Sequence, residues 1–368
     1  MTRSGNAMPS YATLLSQISF DRATAYLGQL RSGDQPGAFL REQLASADLS
    51  ALTEEQFLEH LVRTKRPQIF AESAVAGDGS DWTLTELGLL GDISMAAPVT
   101  FFDNGRHANP EIHTPPFTGW LLFAAGALLR NGRSHTPADW NEVVKNEQID
   151  EDAYFRLYER RLLPGFLFIN EQMQQQGKQA LITVPGLGCG MFAGPFQGQL
   201  GEMLKRALQA FVHKHAAKFS HIRAVYYDPY RECQNERIDL PGLSFLVRPL
   251  TQGNEDKPQL CHPSTYAEPG DDFSDCELVS VVAWDHVSWP GNDFYVGSRA
   301  TDDGVKGAAT DVTAVLTGIA GTYNPQTFCY EPPAGTRHWQ EVIERNKLEL
   351  DVLGSLQVLP PKTSSTVI

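Results

Sequence analysis

The sequence predicts a three-layer α/β fold, a sheet covered by helices on both faces, with an N-terminal helical subdomain ahead of it. Five short runs are apolar almost throughout: 98–102, 180–184, 222–227, 243–247 and 278–283. Unbroken runs of this kind suit central strands buried on both faces, whereas half-buried strands alternate. Segments of helical spacing separate them, and glycines, asparagines and aspartates gather where several of the runs end. A chain of 368 residues, 42% hydrophobic and 20% charged, has enough apolar material for a sizeable core.

Residues 1–90 are expected to form the helical region. Leu14, Leu15, Ile18, Leu27 and Leu30 have amphipathic spacing up to a break at Ser32-Gly33-Asp34, and Thr53 is placed to cap a second helix running through Val62. A connector of small residues, 74–80, follows, and no chemical motif lies in this part of the chain. Residues 91–355 carry the strand runs and form the expected catalytic domain, with helices predicted over 118–129, 151–163, 197–218 and 311–319. The segment 252–275, rich in Pro, Gly and acids, reads as an exposed excursion, and 356–368 as a flexible tail.

Two strand ends carry the chemistry. The first is followed by Pro185-Gly186-Leu187-Gly188-Cys189-Gly190-Met191-Phe192-Ala193-Gly194-Pro195-Phe196, after which Leu200, Met203, Leu204, Ala207, Leu208 and Phe211 repeat at helical spacing. In a strand, glycine turn and helix, backbone N–H groups approach an anion closely and the helix start adds a partial positive charge. A diphosphate is then held without cationic side chains, which fits a net charge of −14 and no evident basic patch. A Walker loop is excluded, because Pro195-Phe196 stands where Lys and Ser or Thr are required. The dinucleotide fingerprint ending in Ala193 lacks its ribose-binding acid about 20 residues on, since 205–221 contains no Asp or Glu.

The second strand end reads Trp284-Asp285, then Pro290-Gly291-Asn292-Asp293, then Thr301-Asp302-Asp303-Gly304-Val305. Aspartates among glycines at a rigid strand end point to groups that bind sugar hydroxyls or activate water. A third loop, Phe101-Phe102-Asp103-Asn104-Gly105, is either an Asx turn or an adenosine contact, with Phe102 or Phe101 on the base and Asp103 or Asn104 at base or ribose. Asp302 is expected to cap the helix around Val305, and His286 to alternate to the face opposite Asp285. Cys189 reads as a small residue filling a tight turn. His213 and His215 diverge by roughly 200° on a helix and share no metal.

The five cysteines are scattered without paired spacing, which argues for a reducing compartment and against a zinc site. The acidic balance argues against a nucleic-acid partner. No run of about 18 apolar residues is present, and residues 1–10 lack an apolar leader. The expected location is the cytoplasm, with delivery into another cell by a system that needs no cleaved signal left open.

These residues together resemble macrodomains, which bind ADP-ribose on a three-layer α/β fold. The glycine turn is similar to their phosphate loop, and Gly291-Asn292-Asp293 with Asp303-Gly304-Val305-Lys306-Gly307-Ala308-Ala309 resembles their ribose loop. More narrowly, residues 98–332 look like the MavL-type hydrolases of Legionella effectors, which remove ADP-ribose from an arginine of ubiquitin. The resemblance implies a macrodomain-like sheet and a catalytic cluster of Asp285, Asp293 and Asp303. The ADP-ribose contacts it implies are Phe102, Asp103, Asn104, Gly186, Gly188, Cys189, Gly190, Met191, Phe192, Asn292, Tyr295, Gly304 and Val305, with no cofactor and no metal. Its partners are ADP-ribose and an ADP-ribosylated protein, ubiquitin by resemblance, with no nucleic acid and no membrane, and its place of action as an effector is a host cytosol. Ordinary macrodomains carry the ribose loop before the phosphate loop, and here the order is reversed. Either the sheet is rewired, or Gly91-Asp92-Ile93 fills the first-loop position and Asp92 meets adenine.

Cleaving the N-glycosidic bond at the distal ribose passes through an oxocarbenium-like state, which a carboxylate stabilises while another orients or deprotonates water. Asp293 and Asp303 are expected in those roles and Asp285 at the ribose hydroxyls or water, with the base left unassigned among them. Crowded carboxylates raise the pKa of at least one member. Two other readings stand beside this one: an ADP-ribose reader without turnover, and a hydrolase whose aspartates chelate Mg²⁺.

Overall fold

The computed structural model describes residues 11–361; residues 1–10, where no apolar leader was expected, and 362–368 of the expected tail lie outside the described residues. Nine strands form one mixed sheet: β1 (Ala12–Leu15), β2 (Ser94–Asp103), β3 (Ile112–Ala125), β4 (Gln179–Pro185), β5 (Ile222–Asp228), β6 (Glu236–Leu240), β7 (Leu243–Val247), β8 (Cys276–Trp284) and β9 (Leu356–Val358). Their order across the sheet is β9-β1-β2-β3-β8-β4-β5-β7-β6. Strands β3, β8, β4, β5 and β7 run parallel to one another, so their carboxyl ends share one edge. Ligand sites of open parallel sheets lie at that edge. Strand β8 comes late in the chain yet inserts between β3 and β4, which brings together loops separated by about a hundred residues in sequence.

The apolar runs form strands because both of their faces are buried. In β8, Leu278, Val282 and Trp284 enter one core and Val279 and Val281 the other. One face is covered by α1 (Gln17–Arg31), α2 (Ala38–Leu44), α3 (Glu54–Val62) and α4 (Leu84–Asp92), together with α7 (Asp302–Ala309) and α8 (Val312–Thr317). The other face is covered by α5 (Glu151–Gln176) and α6 (Leu200–His215). Thr53 caps α3 as expected, in a reciprocal capping box with Gln56. No helix among the described residues is long and apolar enough to cross a membrane.

Several expectations are corrected. The helix predicted over 118–129 is largely strand β3: Leu121 and Phe123 point into one core, Trp120, Leu122 and Ala124 into the other. A run apolar on both sides carries no period by which strand and helix could be told apart. The N-terminal region supplies strand β1 as well as helices, and β1 pairs with β2 and with β9 from the expected tail. The segment 252–275 is anchored rather than merely exposed, since Leu260, Cys261, Tyr266 and Phe273 are buried in the core.

Candidate active site

The glycine turn follows β4 and is held close to the end of β3. A Cβ on Gly126 would lie 2.2 Å from the Gly188 nitrogen, and Gly188 itself has φ +72° with its own Cβ position 2.8 Å from the Ala127 nitrogen. Only glycines permit this approach. Within the turn, Leu187 N–H donates to the Pro185 carbonyl (2.8 Å), Cys189 N–H to Gly186 (3.0 Å) and Ala193 N–H to Gly190 (3.1 Å). The amides of Gly188, Gly190, Met191 and Phe192 are left without an acceptor among the described residues. These four residues and Gly186 line a cavity of about 600 Å³.

The same cavity is lined by Trp284, Asp285, Asn292, Asp302 and Asp303, so the two loops converge. Asp285 ends β8 and its Oδ1 accepts the N–H groups of Val287 (2.7 Å) and Ser288 (2.6 Å), while Oδ2 accepts from the Asn292 amide (2.9 Å). Asp303, near the start of α7, accepts the Gly291 N–H at 2.7 Å through Oδ1, and its buried Oδ2 has no hydrogen-bond partner among the described residues. Burial, reinforced by Asp285, Asp293 and Asp302, raises the Asp303 carboxyl well above the usual range. Burial raises Asp285 too, against the opposing pull of Lys65. Lys65 is buried with its Nζ 2.7 Å from the His286 carbonyl and 3.8 Å from the Trp284 ring centroid. Burial lowers this lysine to about 7, although Asp285 and Asp303 favour its charge.

Asp293 does not line the cavity. It accepts from the amides of Ala300 (2.9 Å) and Thr301 (3.3 Å) and from the Thr301 hydroxyl, and so shapes the loop that presents Asp303. Gly304 packs on this carboxylate, where a Cβ would lie 2.2 Å from its Oδ1. Val305 is buried in α7, and Tyr295 is buried with its hydroxyl on the Pro290 carbonyl (2.9 Å), so neither reaches the cavity. Thr301, not Asp302, caps α7; Asp302 accepts the Ala283 N–H (2.8 Å) and the Lys306 ammonium (3.0 Å).

The third loop takes the first of its two expected forms, the Asx turn. Phe102 stacks with the rings of Tyr323 (4.8 Å) and Tyr330 (5.7 Å) and lines neither cavity. Asp103 is paired with Arg299 at 2.7 Å and with the Tyr323 hydroxyl at 2.8 Å. Asn104 accepts the Arg106 and Glu111 amides, the Asx-turn arrangement. The tip beyond it, Gly105 to Ala108, does line a second cavity of about 800 Å³, together with Cys189 and Asp228. Pro185, Gly186, Gly190 and Asp302 separate the two cavities and line both. Burial raises the Cys189 thiol, which suits a filler rather than a nucleophile. Asp92 is enclosed by Arg22, Arg160 and Arg161 and is no adenine contact.

Sequence reasoning missed Phe70, Glu72 and Arg130 on the wall of the first cavity. Among the described residues no group of three or more His, Cys, Asp or Glu is arranged to hold a metal ion.

The sheet, its two helical layers and the paired loops at its carboxyl edge define a macrodomain-like α/β protein. The chain belongs to the MavL macrodomain effector family, whose model matches residues 11–336. The match takes in the helical N-terminus, beyond the stretch that the motifs alone covered. No curated protein matches the chain.

Proposed function

We propose that the protein is an ADP-ribosyl-protein hydrolase that removes ADP-ribose from arginine. One observation carries this reading: the glycine-turn residues with uncommitted amides and Asp303, whose Oδ2 is uncommitted, line the same cavity. Membership of a macrodomain effector family supports ADP-ribose as the ligand. Laid across the turn, its diphosphate would meet the amides of 188–192, with one nucleoside half in each of the cavities that the turn divides. Hydrolysis adds water across the bond between the anomeric carbon and the guanidine nitrogen. The hydroxyl ends on the sugar and the second proton of water on the leaving guanidine. Asp303 and Asp285 are the carboxyls at the cavity that stabilise the sugar cation and carry that proton, and Asp293 positions the loop.

Ubiquitin is the modified protein that the likeness to MavL-type hydrolases implies, and a net charge of −14 suits a basic partner face. As an effector the protein would act in a host cytosol.

Asp303→Asn keeps the acceptor for Gly291 and removes the ionisable group. Release of ADP-ribose from an arginine-modified protein should fall by about 10²–10⁴-fold, with calorimetric affinity for ADP-ribose retained. Undiminished release would remove the assigned role. A reader without turnover is the second reading, favoured by the commitment of Asp285 and Asp293 to loop hydrogen bonds. Wild-type protein that binds ADP-ribose and releases none from the modified arginine would establish it.

A further inference from the structure

Glu72 lies in the part of the chain that carries no motif, and it lines the aspartate cavity. It is 3% exposed, and its Oε2 has no hydrogen-bond partner among the described residues. Its position is fixed from both ends. The Ile69 N–H donates to Asn292 Oδ1 at 3.0 Å, tying it to the aspartate loop, and the Asn131 amide donates to the Val75 carbonyl at 3.0 Å, tying it to the segment after β3. The short helical turn Ala71–Ala74 is therefore a wall of the cavity, held at a set distance from Asp285 and Asp303. Arg130, the one cation lining the cavity among the described residues, is exposed with its guanidinium 4.0 Å from Met191 Sδ; its charge acts on Glu72 without a hydrogen bond between them.

A buried carboxylate oxygen with no partner is destabilising unless something arrives to meet it. The group that a hydrolase of arginine linkages must accept is a planar cation with paired N–H donors, the geometry a carboxylate meets in bidentate fashion. We propose that Glu72 is the specificity-determining residue of the site, pairing with the guanidinium of the ADP-ribosylated arginine. This rests on the arginine-hydrolase reading. Serine ethers and carboxylate esters of ADP-ribose bring no cation and leave the Glu72 oxygen unmet. Burial raises the Glu72 carboxyl, with Asp285 reinforcing and Arg130 opposing the shift.

The test uses calorimetry in an Asp303→Asn background, where turnover does not consume the ligand. Three ligands are compared: an ADP-ribosylarginine peptide, the same peptide carrying ADP-ribosylserine, and free ADP-ribose. The arginine peptide should bind at least about tenfold more tightly than the serine peptide. Adding Glu72→Gln should abolish that difference and leave affinity for free ADP-ribose within about twofold. Glu72→Asp, which keeps the charge but withdraws it, should give an intermediate gap, and an unchanged gap in that variant overturns the proposal even if the glutamine variant does not fold. No gap in the parent, or equal weakening of all three ligands by Glu72→Gln, also overturns it. Turnover by wild-type protein separates the two levels: a gap without turnover sinks the hydrolase reading alone, and turnover with a gap indifferent to Glu72 sinks this one alone.

Discussion

Asp285 and His286 are neighbours in sequence, yet they enter two buried charge clusters built on opposite principles. His286 Nε2 lies 3.1 Å from Asp139 and 3.4 Å from Arg161. In that cluster Arg161 pairs with Asp139 at 2.7 Å, and Arg160 and Arg22 pair with Asp92 at 2.8 Å and 2.7 Å. Burial works against the charge on Asp92 and Asp139, but the arginines overcome it and hold both carboxyls below the usual range. Asp285 faces the other way, into a cavity where Asp303 and Glu72 have no such partner. Arg130, the cation lining it, is exposed, and the buried Lys65, whose charge Asp285 and Asp303 favour, is itself brought to about 7 by burial. Acids that join helices to the sheet are neutralised internally, whereas Asp303 and Glu72 at the cavity each keep one oxygen without a hydrogen-bond partner among the described residues.

The largest effect should come from breaking the neutralised side. Arg161→Met takes a buried counter-charge from Asp139 and from Asp92 and should lower stability to denaturant by about 3–5 kcal/mol. A loss below about 1 kcal/mol, the range of exposed pairs, would show that the network is screened by solvent. Gly188→Ala comes next. A side chain at φ +72° against the Ala127 nitrogen should cost about 1–3 kcal/mol and weaken ADP-ribose binding, read by melting and calorimetry together.

The subtlest contrast is in the sign of the pH dependence. Asp139 is depressed in the folded state, so its contribution is present above its unfolded pKa and is lost as pH falls through the folded value. Asp303 is raised, so its contribution is present below the unfolded pKa and is lost as pH rises through the folded value. Asp139→Asn should therefore show its full deficit relative to wild type above about pH 4 and narrow it as pH falls below that, whereas Asp303→Asn should gain on wild type above about pH 4. Parallel pH profiles of the two variants would erase the distinction between the clusters.

The convergence of the glycine turn and the aspartate loop was legible because each follows an apolar run, and parallel central strands open their carboxyl ends on one edge. The insertion of β8 between β3 and β4 was not legible, since strand order is set by tertiary pairing and leaves no local pattern. Asp285 was found by its place at a strand end, but spacing alone could not separate Asp303, with an unpartnered oxygen, from Asp293, which is consumed by its own loop. Phe102 looked available because its partners, Tyr323 and Tyr330, lie more than two hundred residues away. Glu72 gave no signal: one acid in a small-residue segment acquires meaning only when Asn131 and Asn292 carry that segment to the cavity.

A crystal structure with ADP-ribose tests the central claim most directly. The diphosphate should lie on the amides of 188–192, with the anomeric hydroxyl of the distal ribose within hydrogen-bond reach of Asp303, about 2.6–3.2 Å. A distal ribose remote from Asp303, or a diphosphate bound away from the glycine turn, would contradict the account.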